Sequence, residues 1–208
     1  LDIPRRADNC RCADSLAREV ARGAAGKERG MTCIIGLAED DKVWIGGDSA
    51  GASNGWTVRA IASPKVFRVG PFIIGSMGSP RMSQILRYHL DVSEQGGETD
   101  NEYIVTVFAE AVREAFKERG FAKIEDNREE GGRFLVGYRG VLYKMWGDFQ
   151  IGAYADGMAA GGCGEEFVLG AMKALNFLPP RERIEKALEV AAYFSGGVLP
   201  PFIVLEGR

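Results

Sequence analysis

"TCIIGLAEDDKVWIGGD", residues 32–48, holds two short apolar runs on either side of the acidic pair Asp40 and Asp41. Apolar, β-branched runs of this length, split by a two-residue polar turn, are the pattern of a β-hairpin. The hairpin opens on Thr32, directly behind Met31. Threonine is an ordinary way to begin a strand. The alternative is that Met31 is a start or processing point, so that Thr32 carries a free α-amino group.

Outward from the hairpin, "TVRA" (57–60), "KVFRV" (65–69) and "FIIGSM" (72–77) are further short strands, with Gly70-Pro71 as a turn signal. Helices follow. Residues 79–90 place Pro80 at a first helical position behind Ser79, with Met82, Ile85, Leu86 and Leu90 at helical spacing. Residues 99–120 have acids at the start, a stripe of Ile104, Val107, Phe108, Ala111, Val112 and Phe116, and Gly120 as a stop. "KIEDNREEGG" (123–132) reads as a charged loop, and "RFLVGYRG" with "VLYKMWGD" (133–148) as a second hairpin. Short strands and turns to residue 164, two helices over 165–177 and 179–194, and a last strand in 200–208 complete the order.

Strands, two helices, strands, two helices and a strand make an α+β chain. Two antiparallel sheets packed face to face, with a helix pair outside each, would cover every sheet face. That is a four-layer αββα sandwich. The 208 residues are enough for one such domain. Residues 1–30 differ, being rich in Arg, Ala, Gly and acids with few large apolar side chains. They are expected to be a disordered tail, a propeptide or an upstream segment outside the true reading frame, leaving 31–208 as the folded domain.

Composition narrows the function. A net charge of −3 gives no electrostatic reason to bind nucleic acid or an anionic membrane. No run approaches the roughly 18 apolar residues of a membrane span, and the N-terminus lacks the apolar core of a secretory signal. Cys10, Cys12, Cys33 and Cys163 have neither zinc nor disulfide-framework spacing. A reducing cytoplasmic setting is therefore expected, with no cofactor and no metal. His89 is the single histidine. It lies on an amphipathic helix beside Leu86 and Leu90 and reads as a half-buried structural residue rather than a catalytic base, and "GDSAG" (47–51), with no histidine before it, is no trypsin-like serine motif.

A hydrolase without histidine needs another base. A terminal α-amine, with a pKa of about 8, can take a proton from the hydroxyl of the same threonine. Here the residues carry a resemblance. "TCIIGLAEDDKVWIGGDSA" is similar to the start of mature proteasome β subunits and of bacterial HslV, the threonine-type N-terminal nucleophile (Ntn) hydrolases. The resemblance implies that Thr32 is the nucleophile, freed by removal of everything up to Met31. It implies that Asp48 is the buried aspartate and Lys65, in "SPKVFRV", the active-site lysine. In "IIGSMGSP" (73–80), Gly78 and Ser79 fall on the segment whose backbone amide forms the oxyanion hole. Cys163, in "AAGGCGEEF", takes the place of a serine that contacts the amine, and Ser195, in "AAYFSGG", that of a second supporting serine. The sequence departs at Ala192, where an aspartate is usual, and at Cys163, a weaker donor than serine.

The implied activity is cleavage of peptide bonds by a self-compartmentalising homo-oligomer, with protein or peptide substrates. An ATP-dependent unfoldase is a possible partner of such an assembly. A catalytically inactive shell subunit of the same fold and a small-molecule amidase are the alternatives.

Overall fold

The computed structural model describes residues 31–53, 57–125 and 128–208, so the expectation for residues 1–30 lies outside the described residues. The opening hairpin is β1 (Cys33–Glu39) and β2 (Lys42–Gly47), paired antiparallel with Glu39 opposite Lys42. Asp40 and Asp41 both take positive φ, 53° and 57°. That is the turn whose twist matches a two-residue hairpin, and Asp tolerates it better than most residues. The chain continues through β3 (Ala50–Ser53), β4 (Thr57–Ala60), β5 (Val66–Val69) and β6 (Phe72–Met77) into helix α1 (Pro80–His89). Pro80 occupies the first turn of α1 and Ser79 is its N-cap.

Helix α2 runs over 100–118 with Thr99 as N-cap, its hydroxyl accepting the Glu102 N–H. It contains a π segment, Ile104–Phe108, between α-helical Asp100–Tyr103 and Ala109–Glu118. The extra residue in the π turn re-phases the helix, so Tyr103, Ala109 and Ala115 join the buried face while Val107 and Ala111 sit at its margin. The charged segment expected to be a loop is instead a short hairpin, β7 (Lys123–Glu125) and β8 (Arg128–Glu130). Arg113 of α2 grips Glu129 through two guanidinium nitrogens, which fixes backbone that has almost no apolar content of its own.

The second long hairpin is β9 (Arg133–Tyr138) and β10 (Val141–Met145), again turning on two positive-φ residues, Arg139 and Gly140. Then come β11 (Ile151–Gly152), β12 (Met158–Gly162), α3 (Glu165–Ala174), α4 (Pro180–Phe194) and β13 (Ile203–Gly207). The strands form a four-stranded sheet in the order β12-β1-β2-β13 and a five-stranded sheet in the order β11-β10-β9-β6-β5. All their pairings are antiparallel.

Strand periodicity sorts the core into three layers. Ile34, Val43, Ile45, Ile73, Leu135 and Leu142 point into the space between the sheets. Their neighbours Cys33, Ile35, Leu37 and Trp44 point the other way, onto α3 and α4. Phe72, Ile74, Phe134, Val136 and Tyr138 face α1 and α2. The expected αββα sandwich is the observed one, and both faces of each sheet are covered.

The layer between the sheets holds the two halves together. Leu135, fully buried at its centre, should lose about 2–5 kcal/mol on substitution to Ala. A urea midpoint that falls with an unchanged slope is the expected reading.

Candidate active site

Parity along β1 decides where the site lies. Thr32 shares the register of Ile34 and so looks into the gap between the sheets, whereas Cys33 turns to the helices. Cys33 is fully buried there, and burial pushes its thiol pKa well up, aided by the Asp48 charge. Cys33 is thus packing, as its alternation implies.

Lys65, one residue before β5, extends from the opposite sheet into the same gap. Its Nζ donates to Asp48 Oδ1 at 2.8 Å, to Thr32 Oγ1 at 3.2 Å and to the Met31 carbonyl oxygen at 2.9 Å. Three acceptors use all three ammonium hydrogens. The Thr32 hydroxyl donates to the Met31 carbonyl at 2.7 Å. Thr32, Asp48 and Lys65 are all buried.

Asp48 is held by backbone. Its Oδ1 accepts the Cys33 N–H at 2.8 Å, and its Oδ2 accepts the Ala50 N–H at 2.8 Å and the Leu199 N–H at 3.4 Å. The Asp48 N–H returns a bond to the Cys33 carbonyl at 3.1 Å. The carboxylate is therefore a fixed counter-charge rather than a mobile one. Burial lowers the Lys65 pKa, and the Asp48 charge and hydrogen bond oppose that shift.

The main chain at Lys65 is also held. Its carbonyl accepts from Ser76 N at 2.9 Å and Ser76 Oγ at 3.2 Å, and Ser76 Oγ lies 2.6 Å from Ser83 Oγ of α1. Arg87 of α1 donates to the Pro64 carbonyl while its guanidinium stacks 4.3 Å over the Phe67 ring. Sequence reasoning missed Ser76, Ser83 and Arg87, because they act on the backbone at Pro64 and Lys65, directly or through one another, and such partners carry no sequence signal.

Gly78 and Ser79 join β6 to α1. Gly78 has φ +93°, which a residue with a Cβ rarely adopts, and the Ser79 side chain makes no capping bond. Their amides thus sit at the N-terminal, electropositive end of a helix. Cys163 and Ser195 approach Thr32 from the third side. Ser195 Oγ lies 3.5 Å from Cys163 Sγ, and Cys163 Sγ lies 3.4 Å from the Thr32 carbonyl oxygen. The described contact of Cys163 is with the Thr32 carbonyl, not with its nitrogen. Ala192 is half-buried against the α3–α4 core. His89, expected to be half-buried, is exposed although it is in phase with Met82, Ile85 and Leu86, because it is the last residue of α1 and the chain turns extended at Leu90. Among the described residues no three His, Cys, Asp or Glu side chains converge as metal ligands would, and no helix is long and apolar enough to cross a membrane.

Two outcomes follow from this geometry. Gly162 has φ +97°, and a Cβ on it would lie 1.9 Å from the Thr32 carbonyl oxygen. Gly162→Ala should lower the melting temperature and displace the Cys163 turn, seen as a changed Cys163 alkylation rate. For Lys65, a native pKa below 10.5 means that the unfolded chain binds more protons in the interval between the two. The folded state should therefore gain stability as pH rises through that interval. The difference in unfolding free energy between the parent and Lys65→Met, followed by urea titration at stepped alkaline pH, should grow in favour of the parent. The opposite slope would mean that Asp48 outweighs burial.

No protein-family model and no curated protein matches the chain. Solved structures do. Thiobacillus denitrificans BPH is 19% identical over 85% of this chain and 97% of that one, with a TM-score of 0.71, and the same protein is also known in complex with epoxomicin. Eukaryotic HslV from Trypanosoma brucei is 20% identical over 85% and 99%, with a TM-score of 0.62. Anbu from Pseudomonas aeruginosa, described as a helical assembly, is 15% identical over 85% and 81%, with a TM-score of 0.59. At these identities the likeness is one of architecture: over the 85% of the chain that is covered, the fold is that of the proteasome-β and HslV-like Ntn hydrolases.

Proposed function

We propose that the chain is a threonine-type N-terminal nucleophile hydrolase that cleaves peptide bonds, with Thr32 as nucleophile once the Met31–Thr32 bond is cut. The observation that carries this reading is the buried contact of Lys65 Nζ with Thr32 Oγ1, at 3.2 Å, with Asp48 2.8 Å behind it. An ammonium fixed beside a hydroxyl in a dehydrated layer favours the alkoxide and lowers the pKa of an adjacent amine. With Met31 attached, its carbonyl holds both the hydroxyl proton and one Lys65 hydrogen. Cutting that bond releases both and creates the base.

In the proposed cycle the α-amine of Thr32 takes the Oγ1 proton, directly or through a water, as Oγ1 attacks the substrate carbonyl carbon. The oxyanion is met by the Gly78–Ser79 backbone amide, a contribution typically about 3 kcal/mol. The α-ammonium returns its proton to the departing amine, leaving an ester on Thr32. Water, deprotonated by the α-amine, then cleaves the ester and restores the hydroxyl. Lys65 and Asp48 stay charged throughout, and Cys163 with Ser195 positions the Thr32 main chain.

We also propose that the protein works as a homo-oligomer, since proteins of this fold include the helical Anbu assembly. Mass photometry would separate a closed ring from an open helix. Intact mass and N-terminal sequencing of the purified protein test the enzymatic reading. A mature start at Thr32, peptidase activity and an epoxomicin adduct, all lost in a folded Thr32→Ala variant, are expected. A retained Met31–Thr32 bond in the working assembly, or activity that survives Thr32→Ala, would overturn it. The retained bond would favour the shell-subunit alternative. Activity confined to small amides, with no dependence on peptide length, would favour the amidase.

A further inference from the structure

The layer between the sheets holds a second buried lysine that this mechanism does not use. Lys144 stands on β10 in register with Leu142, so its side chain points at the four-stranded sheet. Only 9% of that side chain is exposed. Its Nζ donates to the Ala160 carbonyl at 2.8 Å and to Glu165 Oε1 at 2.9 Å. Ala160 belongs to β12, an edge strand, and Glu165 is the first residue of α3. Between them lies the turn 162–164, pressed against the start of β1. A Cβ on Gly162 would strike the Thr32 carbonyl, one on Gly164 would lie 2.6 Å from Cys33 Sγ, and Cys163 Sγ contacts the Thr32 carbonyl at 3.4 Å.

One ammonium thus grips the residue two positions before this turn and the residue just after it. An ion pair between a buried lysine and a half-exposed glutamate has little net worth as a stabiliser. Its geometric effect is larger, because it ties the two ends of the turn to each other and both to the five-stranded sheet, the sheet that carries Lys65. We propose that Lys144, with Glu165, is a positioning residue that holds the Cys163 turn against Thr32 and so sets the distance between the nucleophile's main chain and Lys65. The catalytic half of this inference rests on Thr32 acting as nucleophile; the structural half does not.

The test uses Lys144→Met, which keeps the length of the side chain and removes its charge, and Glu165→Gln, which keeps one acceptor oxygen. Peptide-resolved alkylation of the full chain reads the turn without reference to activity. The Cys163 rate should rise about tenfold in Lys144→Met and less in Glu165→Gln, while Cys33 stays protected. Peptidase kinetics, run well below each variant's melting temperature, should show kcat down by about tenfold or more at an unchanged KM, with Glu165→Gln retaining most of it. An unchanged Cys163 rate in Lys144→Met, or in Glu165→Ala should Lys144→Met fail to fold, overturns the proposal whatever happens to kcat. So does a raised alkylation rate with kcat untouched in a parent protein that is active. A parent with no peptidase activity rejects the Thr32 mechanism instead, and the alkylation arm then decides the structural half alone.

Discussion

An ammonium buried between two β-sheets is tolerated only where something fixed and negative receives it. Lys65 meets that condition through Asp48, and Asp48 meets it through amides from three stretches of backbone, at residues 33, 50 and 199. Taking an isolated charge out of water costs several kcal/mol, so the carboxylate and its donors must be in place for the lysine to stay. The close register of β1 with β2, the turn into β3 and the return of the chain at Leu199 all converge on this pair. The position of Thr32 beside Lys65 follows from it.

The four-layer arrangement supplies the setting. Apolar side chains fill most of the space between the sheets; of the two lysines that enter it, Lys65 ends beside Thr32 and Lys144 on Ala160 and Glu165, either side of the turn 162–164. Lys65 acts on the side chain of Thr32, and Lys144 on the turn that touches its carbonyl. Small residues make such close approach feasible. The glycine content, high for a chain of this length, is spent in part on Gly162, where any side chain would collide with Thr32.

The fold was largely legible because periodicity survives in it. Alternation in β1 and β2 separates the Ile34 face from the Cys33 face, and the two apolar helix pairs are evident from their spacing. Thr32, Asp48 and Lys65 were singled out by the resemblance that the opening hairpin carries, and their side chains come together in space. What escaped sequence reasoning was held by features that composition does not encode. The β7–β8 hairpin is fixed by Arg113 of α2, 16 positions before its partner Glu129, and its own sequence reads as solvated loop. The π segment at 104–108 shifts a helical face by a single residue, which no apolar count detects. Lys144 carried no signal in the sequence, because its partners, the Ala160 carbonyl and Glu165 at the start of α3, are brought near only by the tertiary structure.

Asp48 receives the Leu199 amide across 151 positions of chain, and Cys163 reaches Thr32 across 131. Contacts between such distant segments form slowly and late, after the local hairpins and helices. While the polypeptide is still emerging or collapsing, the threonine has neither its counter-ion framework nor its abutting loop. The surroundings of Thr32 are thereby complete only once the segments at Cys163 and Leu199 have returned to the opening hairpin.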